Sequence, residues 1–201
     1  MTDMELPWHG AKRRERPWFK KAAGDQTIAA LWRAADEIGG NEGKYLKAMI
    51  LTGKRKSDLL SMRWEQIEPD WFWDAPPSKS KNKRLHGVPL PNLAQRVLHP
   101  RAKQGFVFEG VNLDRVQAEV KKHSGIKDFI WHGVRHLVET KLGELRILPH
   151  IRDLLLDHVS QRGTGSVYDH HDYKPEMLAA MEKWADHVEG LVSAEGVALL
   201  R

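Results

Sequence analysis

The chain has 201 residues, of which 41% are hydrophobic and 29% are charged, and it contains no cysteine. This balance is typical of a globular domain with one sizeable core, and it excludes general disorder. The missing cysteines exclude disulfide bonds, thiolate metal sites and cysteine nucleophiles, and they fit a reducing cytoplasm. No apolar run approaches the roughly 18 residues of a membrane span, so we expect no membrane contact.

Positive charge dominates the composition, with a formal net charge of +5 at pH 7. Lysine and arginine concentrate in three runs, 12–21, 54–56 and 79–84, and we expect each run at a surface. One such run is typical of a solvated face. Three together favour contacts with a polyanion, and nucleic acid is the first partner of that kind to consider.

The first part of the chain predicts a leader followed by three helices. Residues 1–24 mix proline, tryptophan and basic residues without helical periodicity, which indicates a basic linker or leader. Segments 26–40 and 43–53 have apolar residues at helical spacing and end on glycine, and 54–64 follows as a third helix. The side chains expected to face inward are Ile28, Leu31, Trp32, Ala35, Ile38, Leu59, Leu60 and Met62.

The pattern changes after the third helix. Two strand-like runs, 67–77 and 86–91, bracket a basic stretch and predict a small antiparallel hairpin with a basic tip. Residues 106–110 form either a further strand or a connection. After Asn112 the helical period returns in four segments, and the last of them has Pro175 in its first turn.

These elements predict a mainly α fold with a small antiparallel β-sheet, an α+β class. We expect one domain over 25–190 behind the leader, and a C-terminal tail over 191–201. The tail is apolar and follows a glycine.

The segment "WHGVRHLVETKL" places His132, Arg135 and His136 on one helix face. One interpretation is a zinc site in which His158 is the third ligand. Gly133 stands where a metalloprotease needs its general-base glutamate, which weakens that interpretation. A second interpretation is a helix whose histidines and arginine are merely solvated.

A third interpretation is an oxyanion clamp, because arginine grips phosphate oxygens bidentately and histidine moves protons near neutral pH. Such a clamp needs a second cation. Arg55 is the candidate, since it follows Gly53 where one helix ends and the next begins. Asp58 could orient one of these basic groups.

Five motifs then occur in order: "LTGKRKSDLLSMRWEQI", "SKNKRLHGVPL", "HGVRH", "LLLDHVS" and "VYDHHDY". In this order and rough spacing they resemble the tyrosine recombinases, and in particular the catalytic domain of phage- and prophage-type integrases. The resemblance covers about residues 26–187. Each motif is moderately specific, and five in order make a strong joint signal.

The resemblance implies a role for each matching residue. Arg55 and Arg135 are the two phosphate clamps, and His132 is the proton-transfer group beside Arg135. Lys81 in the hairpin protonates the leaving 5′-oxygen. The remaining implied roles belong to His158, which contacts the scissile phosphate, to Tyr168, the nucleophile, and to Asp58 and His136, which support the site.

Basic side chains around these motifs are the expected DNA-binding residues. They are Lys54, Lys56, Lys79, Lys83 and Arg84. Lys79 and Lys83 are also rivals to Lys81 for the catalytic position. Tyr173 is the rival nucleophile, but it lies five residues after Tyr168 in a turn before the final helix, where packing is its expected role.

The implied reaction is attack of the Tyr168 phenol on a DNA phosphodiester, which gives a 3′-phosphotyrosyl link and a free 5′-hydroxyl. No cofactor and no metal is implied. The partners implied are double-stranded DNA and further copies of the chain, which is a monomer alone and a tetramer on DNA. The tail over 191–201 docks on a neighbouring subunit or, alternatively, folds back on its own core.

Two departures from the family pattern stand out. Asp157 precedes His158 where the family has glycine, so a carboxylate either lies beside the phosphate site or points away from it. Family members also carry an N-terminal DNA-clamping domain, which 24 residues cannot form. We therefore expect a catalytic domain alone, with weak or no activity in isolation.

Other functions remain as alternatives. A type IB topoisomerase or a telomere resolvase would use the same chemistry, although the "VYDHHDYKPEM" ending favours an integrase. A prophage remnant could bind DNA without catalysis. A zinc hydrolase would use His132, His136 and His158.

Overall fold

The computed structural model describes residues 24–75, 86–157, 171 and 173–199. In this part of the chain the fold is mainly helical with one two-stranded antiparallel sheet, which confirms the predicted fold class. The α-helices are α1 (Gly24–Ile38), α2 (Gly40–Thr52), α3 (Lys56–Leu60), α4 (Asn92–Leu98), α5 (Leu113–Ser124), α6 (Trp131–Glu144), α7 (Pro149–Leu156) and α8 (Lys174–Leu199). None of the described helices is both long and apolar enough to cross a membrane.

The sheet is the predicted hairpin. Strand β1 (Phe72–Ala75) pairs antiparallel with β2 (His86–Pro89), and Phe72 lies opposite Pro89. The basic tip between the two strands lies outside the described residues, as does the leader up to residue 23.

The core forms where the predicted apolar stripes meet. Ile28, Leu31, Trp32 and Ala35 are buried on α1, which packs against α2, α5 and α8. The long helix α8 also contacts α2, where the indole N–H of Trp184 donates to the Ile50 carbonyl at 3.1 Å. Burial of these stripes supplies most of the driving force for folding.

A buried charged group joins three of these helices. Lys141 on α6 is 4% exposed, and its ammonium lies 2.7 Å from Asp25 and 2.8 Å from Glu144. The Asp25 carboxylate also accepts from His187 of α8 at 3.0 Å. Since each charge has a partner, this network holds α1, α6 and α8 together without an orphaned buried ion.

The third helix is shorter than its sequence predicts. α3 ends at Leu60, and Leu60 is half-buried, whereas Leu59 and Met62 are fully buried as expected. The reason is tertiary, because the Trp64 N–H bonds to the Gly105 carbonyl and the Val107 N–H bonds to the Met62 carbonyl. This pairing draws the chain out of the helix.

Residues 106–110 are a connection, since only Phe106 forms an isolated bridge, to Arg63. The short helix α4, which buries Leu93, Ala94 and Leu98, has no counterpart in the predicted elements. Its seven residues are two turns, too few for a helical period to be recognised.

Two glycines end helices in the left-handed conformation. Gly53 follows α2 with φ 60° and Gly125 follows α5 with φ 73°. A Cβ on Gly53 would lie 2.8 Å from Leu156 and 2.9 Å from Val138, whereas nothing lies within 4 Å of one on Gly125. Gly53 therefore permits both the turn and the close approach of α6 and α7 to the end of α2.

Gly53→Ala should lower the free energy of unfolding by about 2–4 kcal/mol, because backbone strain adds to overlap with packed side chains. Gly125→Ala is the matched control and should cost only the strain, about 1 kcal/mol. Urea unfolding of both variants measures the difference. Equal losses would show that the contacts around Gly53 give way freely.

Candidate active site

A pocket of about 430 Å³ opens between the end of α2, the start of α3 and the first turns of α6. Its cationic and histidine side chains are Lys54, Arg55, Lys56, His132 and Arg135, and its other lining residues are Met49, Ser57, Gln117, Ile130 and Trp131. The structure thus brings five of the described basic residues of the predicted site together in one pocket. A concentration of cations in one concave site suits an anionic ligand.

Arg135 is one of two deeply buried cations at this pocket. It is 3% exposed, and its guanidinium donates to the Gly53 carbonyl at 3.1 Å and to the Leu156 carbonyl. Burial and then the nearby Arg55 lower the pKa of Arg135 to about 10. The guanidinium therefore stays charged at neutral pH and delivers a fixed positive charge to the pocket wall.

Arg55 lies at the N-cap of α3, with an extended backbone that turns its side chain towards the end of α7. Its Nη1 lies 2.6 Å from the Asp157 carboxylate and its Nη2 donates to the Asp157 carbonyl at 3.1 Å. Asp58 is more distant, with an oxygen 3.7 Å from Nη1. Of the two expectations for Asp157, the structure therefore shows the carboxylate at the site.

A buried tyrosine connects the two halves of the pocket. The Tyr45 hydroxyl donates to the Lys56 carbonyl at 2.8 Å, and its ring meets Trp131 edge-on at a centroid distance of 5.6 Å. Burial, with a smaller contribution from Asp58, raises the pKa of Tyr45. Tyr45 thus holds Lys56, the neighbour of Arg55, close to Trp131, the neighbour of His132. The raised pKa keeps its phenol protonated.

The two histidines of α6 lie side by side. The rings of His132 and His136 meet edge-on at 4.4 Å, His132 is exposed, and His136 Nδ1 lies 3.8 Å from Glu139. No group of three potential metal ligands occurs within 24–75, 86–157, 171 and 173–199. The zinc alternative depends on His158, which lies outside the described residues.

Lys54 differs from its expected surface position. It is 2% exposed, although the run 54–56 is predicted to lie at a surface, while Lys56 is exposed as expected. Burial and then the charge of Arg135 lower the pKa of Lys54 well below its usual value. The cause is helix packing, because Gly53 draws this part of the chain against α6 and α7.

Several predicted site residues fall outside the described part of the chain. They are Lys79, Lys81, Lys83, Arg84, His158 and Tyr168. The rival nucleophile Tyr173 is described, and it packs against the core beside His150 and His171. The assignment of the nucleophile stays a prediction.

Sequence reasoning gave no role to two of the residues that line the pocket, and it missed one contact. Gln117 lines the pocket from outside every quoted segment, and Trp131 lines it although it only begins "WHGVRHLVETKL" and was given no role. Gln117 comes from α5, a helix that carries no recognised motif, and Trp131 has the signal of an ordinary core residue. The contact between Asp157 and Arg55 was also missed, although the unusual Asp157 had marked the position.

Comparisons with known proteins bear on the family relationship of this chain. The chain is 26% identical over 152 residues to prophage integrase IntA of Escherichia coli (strain K12), covering 70% of this chain and 37% of that protein. It is 29% identical over 182 residues to prophage integrase IntZ of the same strain, covering 84% of this chain and 45% of that protein. The chain thus spans less than half the length of these curated relatives.

Both matches support a relationship of this chain to the phage-integrase family. No family model matches the chain, and no solved structure does. The motifs that suggested the family and the two relatives therefore agree.

Arg135→Ala should lower the free energy of unfolding by about 2–4 kcal/mol, because two carbonyls lose a charged donor in a buried place. Arg55→Ala is the matched control, and it should cost less than about 1 kcal/mol because Arg55 makes a partly exposed ion pair with Asp157. Chemical denaturation of both variants gives the comparison. Equal costs would contradict a structural role confined to Arg135.

Lys54→Met should raise the free energy of unfolding at neutral pH by about 1–3 kcal/mol, because it replaces a buried ammonium with an apolar chain of similar length. The folded chain lowers the pKa of Lys54 below 10.5, so the unfolded chain binds more protons between the lowered value and 10.5. Wild-type stability therefore rises with pH in that window, relative to the variant.

The advantage of Lys54→Met should accordingly shrink as the pH approaches 10.5. Urea unfolding at several pH values measures it, and the exposed Lys56→Met is the control that should show no such trend. An advantage of constant size across the window would contradict the lowered pKa.

Proposed function

We propose that this chain is the catalytic domain of an integrase-like tyrosine recombinase, which cuts and rejoins double-stranded DNA through a 3′-phosphotyrosyl intermediate. The observation that carries the proposal is the convergence of Arg55 and Arg135 on one pocket. The two residues are 80 positions apart in the sequence, one just before α3 and the other on α6, yet they line the same pocket with His132. The relationship to prophage integrases supports the same class.

The proposed chemistry needs stabilisation of negative charge on a phosphate. As the phenol oxygen of Tyr168 attacks, a bond forms from this oxygen to phosphorus and the bond from phosphorus to the 5′-oxygen breaks. Charge builds on the remaining oxygens, where Arg55 and Arg135 act as clamps. Arg135 suits this role because its hydrogen bonds to carbonyls hold it in place before any ligand binds.

This step transfers two protons, one away from the phenol and one to the leaving 5′-oxygen. His132 is exposed at the pocket and, as the proton-transfer group, accepts the proton of the attacking phenol, with His136 edge-on beside it. Lys81 gives its proton to the leaving 5′-oxygen, and His158 contacts the phosphate. Attack of a 5′-hydroxyl on the phosphotyrosine reverses the reaction, so no nucleotide cofactor is required. No metal is required either, because the two arginines, the lysine and the two histidines stabilise the charge and transfer the protons.

The proposed partners follow from this chemistry. Double-stranded DNA is the substrate, with Lys56 on the pocket rim and the hairpin residues Lys79, Lys83 and Arg84 as further phosphate contacts. Strand exchange between two sites needs four nucleophiles, so the active form is a tetramer on DNA. We propose that the reaction takes place in the cytoplasm of a bacterium, where the DNA substrate of a prophage-type integrase lies.

A nicked suicide duplex tests the proposal, because it traps the covalent intermediate. Wild type should form a DNA–protein adduct that survives SDS, weakly as the isolated chain and more strongly when a DNA-clamping domain of the family is fused to its N-terminus. In both forms Tyr168→Phe should reduce the adduct to background, because phenylalanine has no nucleophilic oxygen. Tyr173→Phe is the matched control and should keep the adduct. A mixed-sequence pool of duplexes, used at low salt, avoids the need to know the site.

Other results would point to other functions. An adduct lost only in Tyr173→Phe would keep the reaction class and move the nucleophile. DNA binding by fluorescence anisotropy without any adduct, both from the isolated chain and from the chain fused to a DNA-clamping domain of the family, would favour a non-catalytic DNA-binding protein. Stoichiometric zinc in protein purified without a histidine tag would favour the hydrolase.

A further inference from the structure

The end of α7 carries a carboxylate in an unusual place. Asp157 is the C-cap of α7 and has left-handed backbone angles, φ 50° and ψ 47°. Glycine is the common residue for this conformation, and aspartate adopts it at some cost in strain. The position therefore holds a charged side chain where a glycine would suit the backbone better.

This carboxylate takes up the groups that would bind a phosphate. The two terminal nitrogens of Arg55 both bond to Asp157, one to the carboxylate and one to the carbonyl. A guanidinium uses such a pair of parallel N–H groups to hold two oxygens of a phosphate. Arg55 is 36% exposed and Asp157 25% exposed, so this edge lies at the mouth of the pocket and not in the core.

Arg135 is held differently, and the contrast matters. Its hydrogen-bond partners are the neutral carbonyls of Gly53 and Leu156, and no carboxylate of the described residues forms an ion pair with it. Arg55 alone of these two clamps meets an anion within 3 Å in the described part of the chain. The nearest Asp58 oxygen lies 3.7 Å from Nη1 of Arg55, which is longer than a hydrogen bond, and Asp58 does not contact Nη2.

We infer that Asp157 is an intrachain competitor of the substrate phosphate for Arg55. The DNA-free chain keeps the Arg55 guanidinium occupied, and a phosphodiester must displace the Asp157 carboxylate to engage both clamps. Asp157 thus lowers the affinity of the site for isolated phosphates and favours a ligand that is held by further contacts, as a long duplex is. This last step rests on the proposed function.

Titration with inorganic phosphate at constant ionic strength tests the competition directly, with NMR of the arginine side chains as readout. Asp157→Asn keeps a residue that tolerates the left-handed backbone and removes the charge. It should bind phosphate about tenfold more tightly than wild type, the size expected when a charged competitor is lost. Asp157→Gly should behave alike and serves if the asparagine variant does not fold.

Two controls make the result specific. Asp36→Asn removes the same charge at the remote ion pair with Lys47, and it should change phosphate affinity less than about twofold. The double variant Arg55→Ala, Asp157→Asn should lose the gain, because the released donors are those of Arg55. Unchanged or weaker binding in both Asp157 variants would overturn the inference and make Asp157 a positioning residue for Arg55.

The phosphate titration and the adduct assay fail separately. Tighter phosphate binding without any adduct in any variant would leave the competition standing and remove the recombinase. An adduct in wild type together with unchanged phosphate affinity in the Asp157 variants would support the recombinase and remove the competition.

Discussion

The buried guanidinium of Arg135 joins α6 to the ends of α2 and α7 beside the pocket. From α6 it bonds to the carbonyl of Gly53 at the end of α2 and to that of Leu156 at the end of α7. Both acceptors lie where a helix ends, and helix ends leave carbonyls that need donors. One charged side chain therefore satisfies two such groups and fixes three helices relative to one another. The same bonds set the position of the positive charge, so the structural and the proposed chemical roles of Arg135 share one geometry.

Around this centre the charges are arranged in layers. Lys54 and Arg135 are buried, while Arg55, Lys56 and His132 are at least partly exposed at the pocket. Burial strengthens the Coulomb attraction between a cation and an incoming anion. Burial also raises the free-energy cost of keeping that cation charged. Without a ligand, the positive charges at such a site exceed the negative charges beside them. The carboxylate at the end of α7 offsets part of the positive charge, as Asp58 does from α3, and a bound phosphate would offset more.

Much of the fold could be predicted because its signals are local. The stripe on α1, the glycine that ends α2 and the asparagine that begins α5 are sequence patterns, and the structure has each element there. The failures share the opposite property. The early end of α3 depends on pairing of the chain near Met62 with residues near Gly105, and nothing in the sequence of α3 announces a partner about 40 residues away.

The sequence by itself determined which reactive side chains occur, in which order, and which of them share a helix face, as His132, Arg135 and His136 do. Only the tertiary structure decided that Arg55 meets Asp157, that Arg135 meets Gly53, and that Lys54 is buried. These pairs are 102 and 82 residues apart. Helical periodicity reports on neighbours three or four positions away, whereas such contacts exist only once whole helices have packed against one another.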